Sequence, residues 1–132
     1  MNILFRGGTV VTAEAMTKAD VLVRGEKIAA IGLDLPADGA QVADITGKYL
    51  LPGAIDAHTH LDCVCSGIPT SDDYFTGTRA AACGGVTTVI DYLLQDAGEL
   101  LPDTLQKRVA MASPKVAVDI AFHIGVSDLS RP

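Results

Sequence analysis

The sequence lacks the features that direct a chain to nucleic acid or to a membrane. Its 10 lysines and arginines are outnumbered by 16 aspartates and glutamates, and the net charge of -6 leaves no basic surface to neutralise phosphates. No apolar run approaches the roughly 20 residues that cross a bilayer. Residues 1–8 also lack the basic start and apolar body of a signal peptide. We therefore expect neither nucleic acid nor a membrane as a partner.

Cysteine is also scarce, with Cys63, Cys65 and Cys83 as its only occurrences. Three cysteines do not make a disulfide framework, which agrees with a reducing compartment and predicts a cytoplasmic location. The sequence does have 48% hydrophobic and 20% charged residues, which is ordinary for a globular domain and enough for a hydrophobic core.

The first fifty residues are typical of β structure. Gly7-Gly8 and Gly25-Glu26 predict tight connections between strands. The continuously apolar run at residues 21–23 predicts a strand that is covered on both faces. The pattern as a whole predicts a meander with strands at 3–5, 9–12, 20–24, 27–31, 41–44 and 47–50.

From residue 52 onward, strands alternate with helices. Thr70 or Ser71 is expected to begin the first helix, and Gly84-Gly85 to end it. In the second helix, Leu101, Leu105, Val109 and Ala112 are spaced for burial. Alternation of this kind indicates right-handed βαβ units with a parallel sheet. The predicted order is strand 54–57, helix 72–83, strand 86–92, helix 101–112 and strand 116–124.

His58 and His60 follow the apolar run of the first of these strands. Side chains alternate in a strand, so residues at i and i+2 present both imidazoles to one space, which suits a divalent transition metal. Asp56, on the same face, is a candidate third ligand or an acceptor that fixes a histidine tautomer. The alternative is a set of polar residues at the wet end of a strand, because a complete zinc site needs three or four ligands.

Two separated motifs resemble the amino-terminal part of hydantoinases and dihydropyrimidinases. They are residues 51–62, LPGAIDAHTHLD, and residues 70–88, TSDDYFTGTRAAACGGVTT, and the likeness extends over essentially the whole chain. These proteins are cyclic amidohydrolases. The resemblance implies that a metal-activated hydroxide opens a hydantoin or dihydropyrimidine ring, a cyclic amide or imide, to an N-carbamoyl amino acid. It further implies two divalent metals per active site, most commonly zinc, one of them held by His58 and His60, and a homo-oligomeric intact enzyme.

The fold class that the resemblance implies is α/β. Residues 1–51 would form part of a small β-sandwich domain, and residues 52–132 the first three or so strands of a (β/α)8 barrel with His58 and His60 at the end of its first strand. A complete barrel needs about 250 residues. We therefore expect an incomplete fold that is inactive alone, with catalytic residues unknown because those of the family would lie beyond the chain.

Asp62 bears on the choice of substrate. Dihydroorotases carry an arginine two residues after the second histidine, which pairs with the substrate carboxylate, whereas Asp62 would repel that carboxylate. A neutral ring is therefore favoured, unless Asp62 is only a solvated loop residue. An allantoinase- or dihydroorotase-type enzyme and a non-enzymatic dihydropyrimidinase-like scaffold stay as alternatives, although the two retained histidines argue against the scaffold.

Five further residues are candidates for the pocket or its support. Cys63, Val64 and Cys65 are expected in a loop over the pocket, where the thiols either join a metal site or simply pack. Asp91 is expected behind the metal ligands or as a cap after its strand. His123, near the end of the third strand, is expected at the mouth of the pocket or as a hydrogen-bonded structural residue.

An incomplete barrel exposes strand edges and a broad apolar face, so we predict that the isolated chain associates in solution. Gel filtration with light scattering measures this. A monodisperse monomer that unfolds cooperatively would contradict the expectation of an incomplete fold.

Overall fold

A computed structural model of the chain describes residues 1–65 and 67–130, and of Cys65 the backbone alone. The chain divides into two compact units, Met1–Pro52 and Gly53–Pro132. The first unit contains strands β1 Asn2–Val11, β2 Met16–Arg24, β3 Lys27–Gly32, β4 Gln41–Asp44 and β5 Tyr49–Leu50. The second contains β6 Ala54–Thr59, β7 Val64–Cys65, β8 Ile68–Pro69, α1 Tyr74–Cys83, β9 Val86–Leu94, α2 Leu101–Ala112 and β10 Asp119–Gly125.

The first unit is a five-stranded sheet in which β1 pairs with β2 on one side and with both β4 and β5 on the other. The pairings β1–β2 and β2–β3 are antiparallel, whereas β4 and β5 run parallel to β1. The predicted meander is therefore wrong after β3, because the chain crosses to the far side of β1 instead of pairing with its predecessor. Val21 and Leu22 are both buried, which confirms that this part of β2 is covered on both faces.

Gly7-Gly8 is not the predicted connection between two strands. Strand β1 runs through both glycines, and its register with β2 shifts between Phe5 and Gly8. The chain at residues 45–46 approaches this bulge so closely that a Cβ at Gly7, whose φ is +78°, would lie 2.6 Å from Thr46 Oγ1, and one at Gly8 would overlap Ile45. The glycines therefore accommodate a close chain approach, which short-range sequence does not reveal.

Asp20 ties this bulge to the loop after β3. Its side chain is buried, with 6% of the residue exposed. One carboxylate oxygen accepts a hydrogen bond from the Gly7 N–H at 2.8 Å, and the other from the Leu35 N–H at 3.1 Å. One charged group thus satisfies two backbone donors from different loops.

The second unit is built on a parallel sheet in the order β10-β9-β6, which confirms the predicted parallel pairing. Helix α1 connects β6 to β9, and α2 connects β9 to β10. The predicted loop at 61–69 contains the small hairpin β7–β8. The core is formed by Leu61, Tyr74 and Ala112, against which partly buried side chains of Met111, Val116, Ile120 and Phe122 pack.

The residue that caps α1 is Asp73, so the prediction of Thr70 or Ser71 was wrong. The Asp73 carboxylate accepts from the Thr76 N–H at 2.8 Å, and the Asp73 N–H donates to Thr76 Oγ1 at 3.1 Å, which is a reciprocal capping box. The bond from the Thr76 N–H holds the pKa of Asp73 below its usual value. At the other end Gly85 has a φ of +83°, which confirms glycine as the stop signal.

Helix α2 has the predicted bounds, and of the four residues predicted to be buried, Ala112 is buried and Leu101 is half-buried. Leu105 and Val109 are 39% and 43% exposed, so their predicted burial was wrong. Thr104 and Ala112 are the buried residues, and Arg108 between them is half-buried. The Thr104 hydroxyl bonds Glu99 and the Leu100 carbonyl, which satisfies its burial. Within residues 1–65 and 67–130, no helix has the length and apolar character needed to cross a membrane.

We predict that Asp20→Ala destabilises the first unit by about 2–4 kcal/mol, because two half-buried N–H groups lose their carboxylate acceptor. Asp20→Asn keeps one acceptor oxygen and should lose less. Urea unfolding and the hydrogen exchange of the Gly7 and Leu35 amides measure the effect. Glu26→Ala, at an exposed turn of the same unit, is the matched control, and equal stability of the Asp20→Ala and Glu26→Ala proteins would contradict this role.

Candidate functional site

The parallel sheet separates two sets of side chains on its opposite faces. Asp91 of β9 faces α1, where it is bonded by Tyr74 and by Thr59 of β6. Strand alternation therefore directs Tyr92, the next residue, to the opposite face. His58 of β6 and His123 of β10 contact the Tyr92 ring on that face. Residues from all three strands thus meet beside the carboxyl end of β9.

His58 and His60 converge as their spacing predicts. Their Nε2 atoms lie 3.1 Å apart, and both residues are exposed. A tetrahedral zinc with Zn–N bonds of about 2.0–2.1 Å holds two ligand nitrogens about 3.4 Å apart, so the donor pair fits a shared metal. Among the described residues, no group of three or more histidine, cysteine, aspartate or glutamate side chains is arranged to hold a metal ion. Two nitrogen donors are fewer than the three or four ligands that a zinc site requires.

Tyr92 is the residue of this cluster that sequence reasoning missed. Its ring stacks on His58 with centroids 5.0 Å apart and planes inclined by 21°. The centroids of His60 and His123 lie 5.8 Å and 6.5 Å from that of Tyr92. The sequence did contain a signal for Tyr92. It follows Asp91 at the predicted end of its strand, and alternation directs the two side chains to opposite faces.

The two carboxylates predicted behind the histidines occupy different environments. Asp91 is 1% exposed and accepts from the Leu61 N–H at 2.9 Å, the Tyr74 hydroxyl at 2.9 Å and the Thr59 hydroxyl at 3.3 Å. Burial raises the pKa of Tyr74 far above its usual value, and the bond to the Asp91 carboxylate and its charge add to the rise. Asp56 is exposed, and its carboxylate accepts from the His58 backbone N–H at 3.2 Å, whereas the predicted partner was an imidazole.

An open groove of about 860 Å³ lies next to His60 and Tyr92. Asp62, Cys63 and Val64 line it, so the structure brings three of the predicted pocket residues together with one of the predicted metal ligands. The side chain of Cys65 lies outside the described part of the chain. Of the described candidates, His58, His123, Asp56 and Asp91 do not line the groove.

Asp62 is fixed by neighbours on every side. Its backbone has a φ of +48°, its N–H donates to the Asp72 carbonyl at 3.0 Å, and its carbonyl accepts from Arg108 at 3.0 Å. Its carboxylate accepts from Lys115 Nζ at 3.0 Å, and this hydrogen bond raises the pKa of Lys115. Asp62 therefore lines the groove with a carboxylate that is already paired with Lys115.

Known proteins resemble the chain closely. No family model matches it. It is 44% identical over 130 residues to a D-hydantoinase from Geobacillus stearothermophilus, a match that covers 98% of this chain and 28% of that protein. It is 38% identical over 128 residues to dihydropyrimidinase-related protein 5 from Homo sapiens, a match that covers 96% of this chain and 23% of that protein.

The solved structures show the same relationship. A dihydropyrimidinase from Brevibacillus agri superposes with a TM-score of 0.93 and 51% identity, and the match covers 97% of this chain and 28% of that one. The fold is thus a mixed α/β arrangement that matches the amino-terminal part of such structures. The chain spans only about 28% of the length of the first of these relatives.

The contacts of Tyr92 predict a spectroscopic signature. Tyr92→Leu should remove the ring-current shifts of the His58 imidazole protons and the stacking, which contributes about 0.5–1.5 kcal/mol beyond buried area in aromatic pairs. Tyr92→Phe keeps the ring and should preserve both. Proton NMR at fixed pH measures the shifts, and unchanged His58 resonances in Tyr92→Leu would contradict the stacked arrangement.

Proposed function

Because the chain belongs to the hydantoinase and dihydropyrimidinase family over nearly its whole length, we propose that it forms the amino-terminal part of a cyclic amidohydrolase. The protein opens a hydantoin or dihydropyrimidine ring by hydrolysing a cyclic amide bond, which releases an N-carbamoyl amino acid. The observation that supports this most strongly is the convergence of the His58 and His60 Nε2 atoms, 3.1 Å apart at the carboxyl end of a parallel strand.

The parallel strands support the proposal that the second unit is the start of a (β/α)8 barrel. Strands β6, β9 and β10 follow one another in the sheet with α1 and α2 in the crossovers, as successive barrel strands do. The sheet face that carries His58, Tyr92 and His123 is then the barrel interior. Active sites of this fold lie at the carboxyl ends of the strands, where the histidine pair lies. The first unit contributes part of a β-sandwich.

His58 and His60 hold one of two divalent metals, for which zinc is the best candidate because imidazole nitrogens suit it. Activation of water and polarisation of the ring carbonyl are the chemistry that a bound divalent metal supplies. The residues of the chain itself orient the two imidazoles and enclose the groove beside them. Tyr92 packs against both imidazoles, and Asp62, Cys63 and Val64 form a wall of the groove beside His60. With two ligands from this unit, the chain alone is inactive.

The substrate is a small neutral ring. A dihydroorotase-type substrate carries a carboxylate that requires a cation near the second histidine, and Asp62 has the opposite charge there. Lys115 is paired with Asp62 and lies 4.0 Å from Asp73. Arg108 also lines the groove, but its guanidinium donates to the Asp62 carbonyl at 3.0 Å. An alternative is an allantoinase-type enzyme, which would also hydrolyse a cyclic amide bond.

The second candidate function is a non-enzymatic scaffold related to the dihydropyrimidinases. The 38% identity to dihydropyrimidinase-related protein 5 favours it, since that protein is nearly as similar to this chain as the hydantoinase is. The convergent histidines favour the enzyme instead. We further propose a homo-oligomeric intact protein and a cytoplasmic location, the latter supported by the odd number of cysteines.

Metal binding tests the enzymatic proposal. We predict that the chain binds Co²⁺, a spectroscopic substitute for zinc, and that the His58→Ala, His60→Ala double variant binds at least about tenfold more weakly because the Nε2 donors are gone. Titration followed by visible absorption measures the affinity.

His123→Ala is the matched control for this titration, since His123 lies on the same sheet face but outside the pair. It should bind Co²⁺ as the parent chain does. Equal affinity of the double variant and the parent would remove the histidines as ligands and favour the scaffold. Turnover of hydantoin or a dihydropyrimidine by the isolated chain would contradict its proposed inactivity.

A further inference from the structure

Asp91 accepts hydrogen bonds from Thr59 and Leu61, the residues immediately before and after His60. One carboxylate oxygen, Oδ1, accepts from the Leu61 N–H at 2.9 Å and from the Thr59 hydroxyl at 3.3 Å. The residue between these two donors is the metal ligand of the proposed function. We propose that Asp91 is a positioning residue that holds the Leu61 backbone and the Thr59 side chain, on either side of His60, so that the His60 imidazole meets that of His58, an inference that rests on the proposed metal site.

The sheet itself does not fix this part of the chain. The register between β6 and β9 shifts between Asp56 and Thr59, and β6 ends at Thr59, so His60 lies beyond the regular ladder. Asp62, two residues after His60, has a φ of +48°, which is not an extended strand conformation. A metal site requires its ligands within about 0.5 Å of the productive geometry. The bonds to Asp91 supply the constraint that regular strand pairing supplies elsewhere.

The Asp91 carboxylate is itself held in place. Its other oxygen, Oδ2, accepts from the Tyr74 hydroxyl at 2.9 Å, and the side chain of Tyr74 is fully buried in the core with Leu61 and Ala112. The raised pKa of Tyr74 keeps that hydroxyl protonated and able to donate. Asp91 faces α1 whereas the imidazoles contact Tyr92 on the opposite face, so Asp91 acts through the backbone and not as a ligand.

The test compares Co²⁺ affinity of folded chains. Asp91→Ala should weaken binding by roughly ten- to a hundredfold, the range found when a residue that orients a metal ligand is lost. Asp91→Asn keeps an amide oxygen that can accept from the Leu61 N–H and should restore most of the affinity. Asp20→Ala is the matched control, because it removes another buried carboxylate that bonds two backbone N–H groups, in the other unit. It should leave Co²⁺ affinity unchanged.

The outcomes separate this inference from the proposed function. If Asp91→Ala binds Co²⁺ as the parent does while the His58→Ala, His60→Ala variant does not, Asp91 is not a positioning residue and the metal site stands. If the double variant also binds as the parent does, the metal site fails. The inference is then decided without metal by the nuclear Overhauser contacts between the His58 and His60 rings, which Asp91→Ala should abolish and Asp91→Asn retain.

Tyr74→Phe provides a second variant if Asp91→Ala does not fold. It removes the donor to Oδ2 and leaves the carboxylate less constrained, so we expect a measurable loss of Co²⁺ affinity that is smaller than the roughly ten- to a hundredfold loss expected for removing the carboxylate itself. Affinity equal to that of the parent chain would overturn the role of Asp91.

Discussion

Strand β9 is the constraint on which the second unit depends, because it is paired on both sides, with β6 and with β10. Asp91 and Tyr92, neighbours near its carboxyl end, direct their side chains to opposite faces of the sheet. Asp91 bonds the backbone beside His60 and the hydroxyl of Tyr74 on the helix side. On the other side, the Tyr92 ring lies next to the imidazoles of His58, His60 and His123. The position of the candidate site is thus set by one strand of regular geometry.

The parts of the fold that followed from the sequence depend on local pattern. The bounds of α2 and of β4 were predicted correctly, and so was the parallel sheet, since hydrophobic spacing and alternation of elements are properties of neighbouring residues. The errors involve contacts between distant segments. The Gly7-Gly8 bulge exists because Ile45 and Thr46 approach it, about forty residues away in the chain, and no turn signal distinguishes such a bulge from a hairpin.

The candidate site also combines a feature that local sequence predicts with contacts between distant segments that it does not predict. The convergence of His58 and His60 agrees with their i, i+2 spacing in an extended chain, which was sufficient to predict it although His60 lies just beyond β6. The stacking of Tyr92 on His58 and the bond between Asp91 and the Thr59 hydroxyl join residues more than thirty positions apart, which the register of β6 with β9 brings together. Apolar spacing predicted the burial of Ala112 in α2 but not that of Thr104, a polar residue whose hydroxyl is satisfied locally by Glu99 and the Leu100 carbonyl.

Strand β6 is the terminal strand of its sheet, and within the described residues only β9 pairs with it. Its other edge has no strand partner among these residues, and the histidine pair lies at its carboxyl end. Under the proposed function, a strand that pairs with this edge would bring further side chains next to the histidine pair, where additional metal ligands are required. Pairing of that strand and completion of the metal site would then depend on each other.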